Sequence, residues 1–213
     1  MNKPRVLLAD DHTLVLEGFR RIVEQRCEVV GSVEDGRSLI EAATRLTPDL
    51  ILLDISMPLL NGIDAARQLH KLLPSVKLIF VTMHADPAYV SEAFKAGASA
   101  YLLKRSAARE LDHAIEAVLK GQYYVTSLLT RELVTSLTQD SANLFAQRQE
   151  LTPRQREVLQ LVAEGRTIKE TAALLNISPK TVEFHKAQIM SQLNLHTTAE
   201  LTKYALTHGL IST

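Results

Sequence analysis

The chain contains a single cysteine and no tryptophan among its 213 residues, and only 5% of its residues are aromatic. The lone cysteine, Cys27, excludes an internal disulfide and a zinc site built from cysteines, which is typical of a reducing cytosol. No apolar run approaches the ~18 residues of a membrane-spanning helix, and the N-terminus lacks a signal-peptide pattern. We therefore expect a cytoplasmic protein with no membrane partner.

An excess of charge of either sign is also missing, since Lys+Arg and Asp+Glu both number 24. The distribution is uneven: residues 1–120 carry a formal charge of −1, residues 121–147 carry −1 and residues 148–213 carry +2. A charge of +2 permits nucleic-acid binding without requiring it. The length allows one large domain or two small ones, each with its own core.

The first 120 residues alternate between apolar strand-like runs and helical patterns. Helix-like spacing of apolar residues separates successive runs, and Gly121 stops the last helix. Such repeated βα units predict a doubly wound parallel sheet in a domain spanning residues 3–120. The five predicted strands are Arg5–Ala9, Glu28–Val33, Leu50–Leu53, Lys77–Val81 and Ala100–Leu103.

A connector at residues 121–148 separates this domain from a C-terminal region. Leu129, Leu133 and Leu137 form an apolar stripe that predicts partial helicity, while Asp140–Glu150 is more polar and is expected to be flexible. Residues 149–213 then show short helices with strong start signals, two of them capping boxes. The predicted starts are at Thr152, Thr167, Ser178 and Thr197, which indicates a four-helix domain containing a helix-turn-helix pair.

Polar residues end four of the five strand-like runs. Asp10-Asp11 and Asp54 follow two of them, and Thr82 and Lys104 follow two more. Because parallel strands deliver such side chains to one edge of the sheet, we expect a ligand site there. Clustered carboxylates repel one another unless a cation joins them, and the lysine favours an anion nearby. The residues predict a phosphoryl acceptor assisted by Mg²⁺.

The segments ADDH, DISMPLLNG, LIFVT and GASAYLLK together resemble the receiver domain of two-component response regulators, which has a flavodoxin-like fold. The resemblance implies that Asp54 accepts a phosphoryl group from a histidine kinase. It implies a Mg²⁺ site formed by Asp10, Asp11, Asp54 and the backbone carbonyl of Ser56. It also implies a switch in which Thr82 moves onto the phosphoryl group and Tyr101 turns inward, with Lys104 binding the phosphoryl oxygens. Tyr101 could otherwise be an ordinary packing residue.

The C-terminal segments LTPRQREVLQLVAEG and ETAALLNISPKTVEFHKAQIMSQLNLHTTAEL resemble the LuxR-type helix-turn-helix of the NarL/FixJ subfamily. At 100° per residue, Val182, Ile189 and Leu193 share one face of the third helix, which we expect to be buried. The opposite face would enter the major groove of an operator. The expected DNA-binding residues are Lys180, Thr181, Glu183, Phe184, His185, Lys186, Ala187 and Gln188. Gln192 departs from the basic residue common at its position in that subfamily.

The sequence thus predicts a transcription regulator, not an enzyme, that dimerises on DNA when phosphorylated. Two alternatives stay open: an enzyme of the phosphatase or phosphotransfer class, and a regulator whose helical domain binds protein instead of DNA. Asp54-Ile55-Ser56 lacks the second carboxylate of DxD-type phosphatases, which disfavours the first. The modest charge of the C-terminal region does not exclude the second alternative, a helical domain that binds protein. Either the face of the fourth and fifth helices or that of the first and fifth could pair in the dimer.

Overall fold

A computed structural model of the chain describes residues 3–130 and 151–211, which divide into two compact units. The N-terminal unit is built on a parallel sheet in the order β2-β1-β3-β4-β5-β6. Its strands are β1 (Arg5–Ala9), β2 (Glu28–Val33), β3 (Leu50–Leu53), β4 (Lys77–Thr82), β5 (Ala98–Leu103) and β6 (Tyr124–Val125). Its helices are α1 (Thr13–Val23), α2 (Gly36–Leu46), α3 (Gly62–Leu72), α4 (Pro87–Lys95) and α5 (Lys104–Leu119).

The central strand β3 is apolar along its whole length because helices cover both faces of the sheet. All four residues of β3 are buried. On one face, Leu16 and Phe19 of α1 and Leu111 of α5 share a core with the alternate strand residues. Helices α2, α3 and α4 pack side by side elsewhere in the unit. The predicted doubly wound α/β fold is confirmed.

The sheet holds one strand more than the sequence predicted. Strand β6 comes from the expected connector and pairs in parallel with β5, placing Tyr124 beside Ala100 and Val125 beside Tyr101. A strand of two residues is too short to show the alternation by which strands are recognised. Residues 127–130 are helical, in line with the predicted partial helicity, while Leu133, Leu137 and Asp140–Glu150 lie outside the described residues.

The C-terminal unit contains the four predicted helices: α6 (Pro153–Ala163), α7 (Ile168–Leu175), α8 (Pro179–Leu193) and α9 (Thr198–Thr207). Both predicted capping boxes are formed, at Thr152 and at Thr167, and a third begins α9 at Thr197. The Ser178 side chain accepts the N–H of Thr181 at the start of α8. None of the helices in either described range combines the length and the apolar character needed to cross a bilayer.

Candidate functional site

The carboxyl ends of β1, β3 and β5 bring Asp10, Asp54 and Lys104 into direct contact. Lys104 Nζ lies 2.7 Å from Oδ2 of Asp54 and 2.7 Å from Oδ2 of Asp10. Both carboxylates are buried, with 2% of Asp10 and 4% of Asp54 exposed. One ammonium group therefore stands between two buried carboxylates that come from separate strands.

Burial and pairing act in opposite directions on the charges of this cluster. Burial raises the pKa of Asp10, and its hydrogen bonds with Lys104 and with the His12 N–H only partly offset the shift. For Lys104, burial alone would lower the pKa, but the charge of Asp54 and the hydrogen bonds to Asp10 and Asp54 outweigh it and raise the pKa. The lysine is thus held in its charged form, while an ionised Asp10 is costly without a further cation.

A group of possible metal ligands lies at the same edge. Asp10, Asp11 and His12 each offer one donor atom, and these atoms lie within 4.8 Å of one another. The His12 Nδ1 atom is 2.7 Å from Asp11 Oδ1 and 3.2 Å from Asp10 Oδ1. Two carboxylates beside a third, Asp54, form an oxygen-rich donor set of the kind that Mg²⁺ prefers. The residues present therefore fit a divalent cation.

The predicted switch residues meet around His84, which the sequence did not single out. The buried Tyr101 hydroxyl donates a 2.8 Å hydrogen bond to the His84 carbonyl, so this tyrosine is turned inward. The His84 ring lies 2.8 Å from Ser56 Oγ through Nε2 and packs on Tyr89 at a centroid distance of 4.3 Å. Thr82 is fully buried at the end of β4, and its hydroxyl accepts a long, 3.4 Å contact from the His84 N–H.

Burial lowers the pKa of His84, although the charge of Asp54 partly counteracts this effect. Burial also raises the pKa of the Tyr101 hydroxyl, which remains a proton donor. His84 follows Thr82 by two residues in a short connection without periodicity, so sequence alone gave no reason to select it. Ser56, Thr82 and Tyr101 are brought together through this residue. None of the hydrogen bonds described here joins them to Asp54.

Gly62 is a second residue whose importance the sequence concealed. It begins α3 directly after the N-cap Asn61, and its N–H donates to the Ile55 carbonyl at 2.8 Å. A Cβ atom at this position would lie 1.9 Å from the carbonyl oxygen of Asp54. Only glycine allows α3 to approach the acceptor loop this closely. The glycine that ends DISMPLLNG could have been selected from the sequence, but its closeness to the Asp54 carbonyl oxygen could not be inferred.

Helix α8 exposes most of the predicted DNA-binding residues. Val182 and Ile189 are buried as expected, whereas Leu193 is only partly buried. Phe184 is 58% exposed, so its ring is available to a partner outside this unit. Five of the eight predicted residues are exposed and three are partly buried; the exposed ones are Lys180, Glu183, Phe184, Ala187 and Gln188, and the others are Thr181, His185 and Lys186.

Lys186 and Gln192 of α8 both bond to other helices of their own unit. Lys186 Nζ donates to Thr198 Oγ1 at 3.0 Å, which turns this lysine toward the start of α9. Gln192 accepts a 3.4 Å hydrogen bond from the buried Gln155. Gln192, which replaces the basic residue common in the NarL/FixJ subfamily, thus makes a hydrogen bond inside its own unit. Lys180, by contrast, is exposed in the first turn of the helix.

Comparisons with known proteins match both units. The response regulator receiver domain matches residues 6–116, and the luxR family of bacterial regulatory proteins matches residues 149–205. The transcriptional regulatory protein MctR of Rhizobium johnstonii is 35% identical over 212 residues, covering 99% of this chain and 96% of that protein.

Solved structures of the regulator RcsB are similar over nearly the whole chain. One is RcsB from Salmonella enterica serovar Typhimurium bound to a promoter with the phosphomimetic BeF3−. Its sequence is 32% identical, the match covers 95% of this chain and 98% of that chain, and the TM-score is 0.61. Another shows two RcsB dimers bound to two parallel DNAs, with 31% identity, coverage of 95% and 98%, and a TM-score of 0.59. The similarity thus extends through both units.

Proposed function

This chain belongs to the two-component response regulators of the luxR family, and we propose that phosphorylation of Asp54 controls its binding to double-stranded DNA. The observation that carries the proposal is the contact of Lys104 with both Asp54 and Asp10. It supplies a buried acceptor oxygen beside a fixed positive charge, which is what transfer of a phosphoryl group to a carboxylate requires.

In the proposed reaction, a carboxylate oxygen of Asp54 forms a bond to phosphorus while the bond from phosphorus to a histidine nitrogen of the kinase breaks. The departing nitrogen keeps the electron pair of that bond. Lys104 stays protonated because its pKa is raised, and it neutralises charge on the phosphoryl oxygens. Mg²⁺ held by Asp10, Asp11, Asp54 and the backbone carbonyl of Ser56 would supply further positive charge to those oxygens.

The new phosphoryl group would carry about −1.5 to −2 charges into a pocket whose ammonium is already shared, while the carboxylate of Asp54 gives up its own charge on bonding phosphorus. Thr82 and Lys104 are the proposed ligands of its oxygens, and Tyr101 is the aromatic residue that responds. Because Tyr101 is buried and bonded to His84, a shift of Thr82 would act on a packed neighbour. A partial change in population is expected, since a shift from 1:99 to 99:1 requires about 5.5 kcal/mol of differential binding.

DNA binding is assigned to the exposed face of α8. Exposed Phe184, Ala187 and Glu183 have the chemistry to contact base edges and thymine methyl groups, and Lys180 can reach a phosphate. The RcsB–DNA complexes favour this function over binding to a protein alone. Two copies on half-sites one helical turn apart would double the contacts that a domain of +2 charge offers.

The finer assignments form part of the same proposal. We place the receiver domain in residues 3–120, the linker in residues 121–148, whose first part adds β6 to the receiver sheet, and the DNA-binding domain in residues 149–213. The protein would act in the cytoplasm as a transcription regulator without turnover of an external substrate. A histidine kinase would be its phosphodonor, and a second copy of the chain its partner on DNA.

Two aspartates that flank β3 provide a matched test, because Asp49 precedes the strand and Asp54 follows it. With a small phosphodonor and Mg²⁺, the wild type and Asp49→Asn should each gain one phosphoryl group, and Asp54→Asn should gain none. Sedimentation and gel shift on the same samples should show more dimer and tighter operator binding after phosphorylation. Thr82→Ala should reduce this gain. Equal labelling of Asp54→Asn, or a phosphorylated wild type that stays monomeric on its operator, would contradict the proposal.

A further inference from the structure

The residues that follow α5 are tied back to that helix by one carboxylate, Glu110. Its Oε2 atom accepts hydrogen bonds from the Tyr124 hydroxyl at 3.1 Å and from the Ser127 N–H at 3.3 Å. Its Oε1 atom accepts from Thr126 Oγ1 at 3.0 Å and from Ser127 Oγ at 3.3 Å. We refer to Ser106, Glu110, Tyr124, Thr126 and Ser127 as the connector clamp. Four donors on one short segment fix it to the helix.

Thr126 is the centre of the clamp and is completely buried. Its N–H donates to the backbone carbonyl of Tyr101 at 2.9 Å. Its hydroxyl lies 3.0 Å from Ser106 Oγ, and Ser106 in turn donates to the Leu103 carbonyl at 3.1 Å. The beginning of the connector is thereby bonded directly to one residue of β5, Tyr101, and the strand ends next to Lys104.

These contacts form a continuous path from the acceptor pocket to the connector. Tyr101 bonds His84 through its side chain and Thr126 through its backbone carbonyl. Lys104, which contacts Asp54, directly follows β5. A buried hydroxyl or N–H that loses its partner destabilises the fold, so Thr126 is expected to move with β5 and to keep its bonds.

We propose that the connector clamp couples the phosphorylation state of Asp54 to the connector, and through it to the DNA-binding helices. The inference rests on the proposed function and specifies how the same site is regulated. When the phosphoryl group draws Lys104 and Thr82 toward it, the end of β5 shifts, and Thr126 passes that shift to the chain that follows. The clamp lies within the N-terminal unit and takes no part in phosphoryl transfer.

Substitutions that remove single hydroxyl or carboxylate contacts provide the test. Thr126→Val keeps the buried volume and deletes the hydroxyl, and Glu110→Gln leaves only one acceptor oxygen. Both full-length variants should take up phosphoryl groups from a small phosphodonor like the wild type. Their gain in affinity for a duplex selected by the phosphorylated wild type should fall by about 2- to 30-fold, the range seen for residues that couple two sites. Backbone amides of residues 124–127 should exchange faster.

Two controls separate coupling from stability. Thr126→Ser keeps the hydroxyl, and Glu116→Gln alters an exposed carboxylate of the same helix that pairs with Lys120. Both should retain the wild-type gain, and circular dichroism should confirm that all variants are folded. An unchanged gain in Thr126→Val and Glu110→Gln, with normal labelling, would overturn the inference alone. A wild type that gains no affinity on phosphorylation would overturn the proposed function and the inference together.

Discussion

Replacement of Gly62 by alanine should destabilise the N-terminal unit and displace the acceptor loop. The added Cβ would lie 1.9 Å from the Asp54 carbonyl oxygen, 2.9 Å from the Asp54 carbonyl carbon and 3.0 Å from Ile55 Cα. A carbon–oxygen contact normally requires about 3.3 Å, so the backbone would have to separate by more than 1 Å. All three obstructing atoms belong to the backbone, so a change of rotamer cannot relieve the clash.

Overpacking of this kind costs about 1–3 kcal/mol, and we expect about 3 kcal/mol because the neighbours are rigid. For a unit of this size, that loss corresponds to a decrease in Tm of about 10 °C. The shift would also carry Asp54 away from Lys104, now 2.7 Å distant, so phosphoryl uptake should fall as well. Thermal unfolding followed by circular dichroism measures the first effect, and labelling with a phosphodonor measures the second.

Gly18 offers a control of opposite sign. It lies inside α1, and a Cβ there would meet no atom within 4 Å. Gly18→Ala should stabilise the protein by about 0.5–1 kcal/mol, because alanine restricts the unfolded chain and favours the helix. If the two substitutions shift the Tm in the same direction, or if Gly62→Ala changes it by less than about 2 °C, the close approach described here is not what requires glycine.

Two further predictions concern the charges of the pocket and the exposed face of α8. Because burial raises the folded-state pKa of Asp10, its contribution favours folding at low pH and is lost as the pH rises through that pKa. At pH 7 without Mg²⁺, Asp10→Asn should therefore increase the free energy of unfolding by about 0.5–2 kcal/mol, measured as a higher Tm, and it should abolish stabilisation by Mg²⁺. A decrease in Tm would show that the Lys104 pairing outweighs burial. On α8, Phe184→Ala and Glu183→Ala should each change base discrimination by about 1–3 kcal/mol. Lys180→Ala should lower the magnitude of the slope of log affinity for DNA against log salt concentration by about 1, whereas Lys203→Ala on α9 should leave this slope unchanged. Unchanged binding in the three α8 variants would mean that another face reads the operator.

The sequence predicted the positions of the strand ends well because the polar residues there interrupt strongly apolar runs. Asp10, Asp54 and Lys104 follow such runs, and the parallel sheet brings them together. It did not predict that Lys104 contacts both carboxylates at once, since this depends on side-chain geometry across three strands. The contacts of Gly62 and His84 are likewise long-range packing features. No local pattern reports which backbone atom a glycine approaches.

In the C-terminal unit, too, local features could be predicted from the sequence, whereas contacts between distant residues could not. Helix starts at Thr152, Thr167 and Thr197 were predictable because a capping box is complete within four residues. The partner of Lys186 was not, because Thr198 lies beyond the end of α8 and its position depends on how α9 packs. The sequence placed Lys186 among the expected DNA-binding residues but could not show where its ammonium group is bonded.

Strand β6 marks the limit of a prediction based on periodicity. Tyr124 and Val125 are followed by Thr126 and Ser127, and a connector rich in Ser, Thr and Gln normally indicates solvent-exposed chain. The polar groups of this segment are instead satisfied by Glu110 and by the carbonyl of Tyr101, so their polarity stabilises a packed structure. A polar connector can thus extend a domain when a partner in the preceding helix accepts its hydrogen bonds. That partner lies 16 residues away from Thr126, beyond the reach of any local pattern.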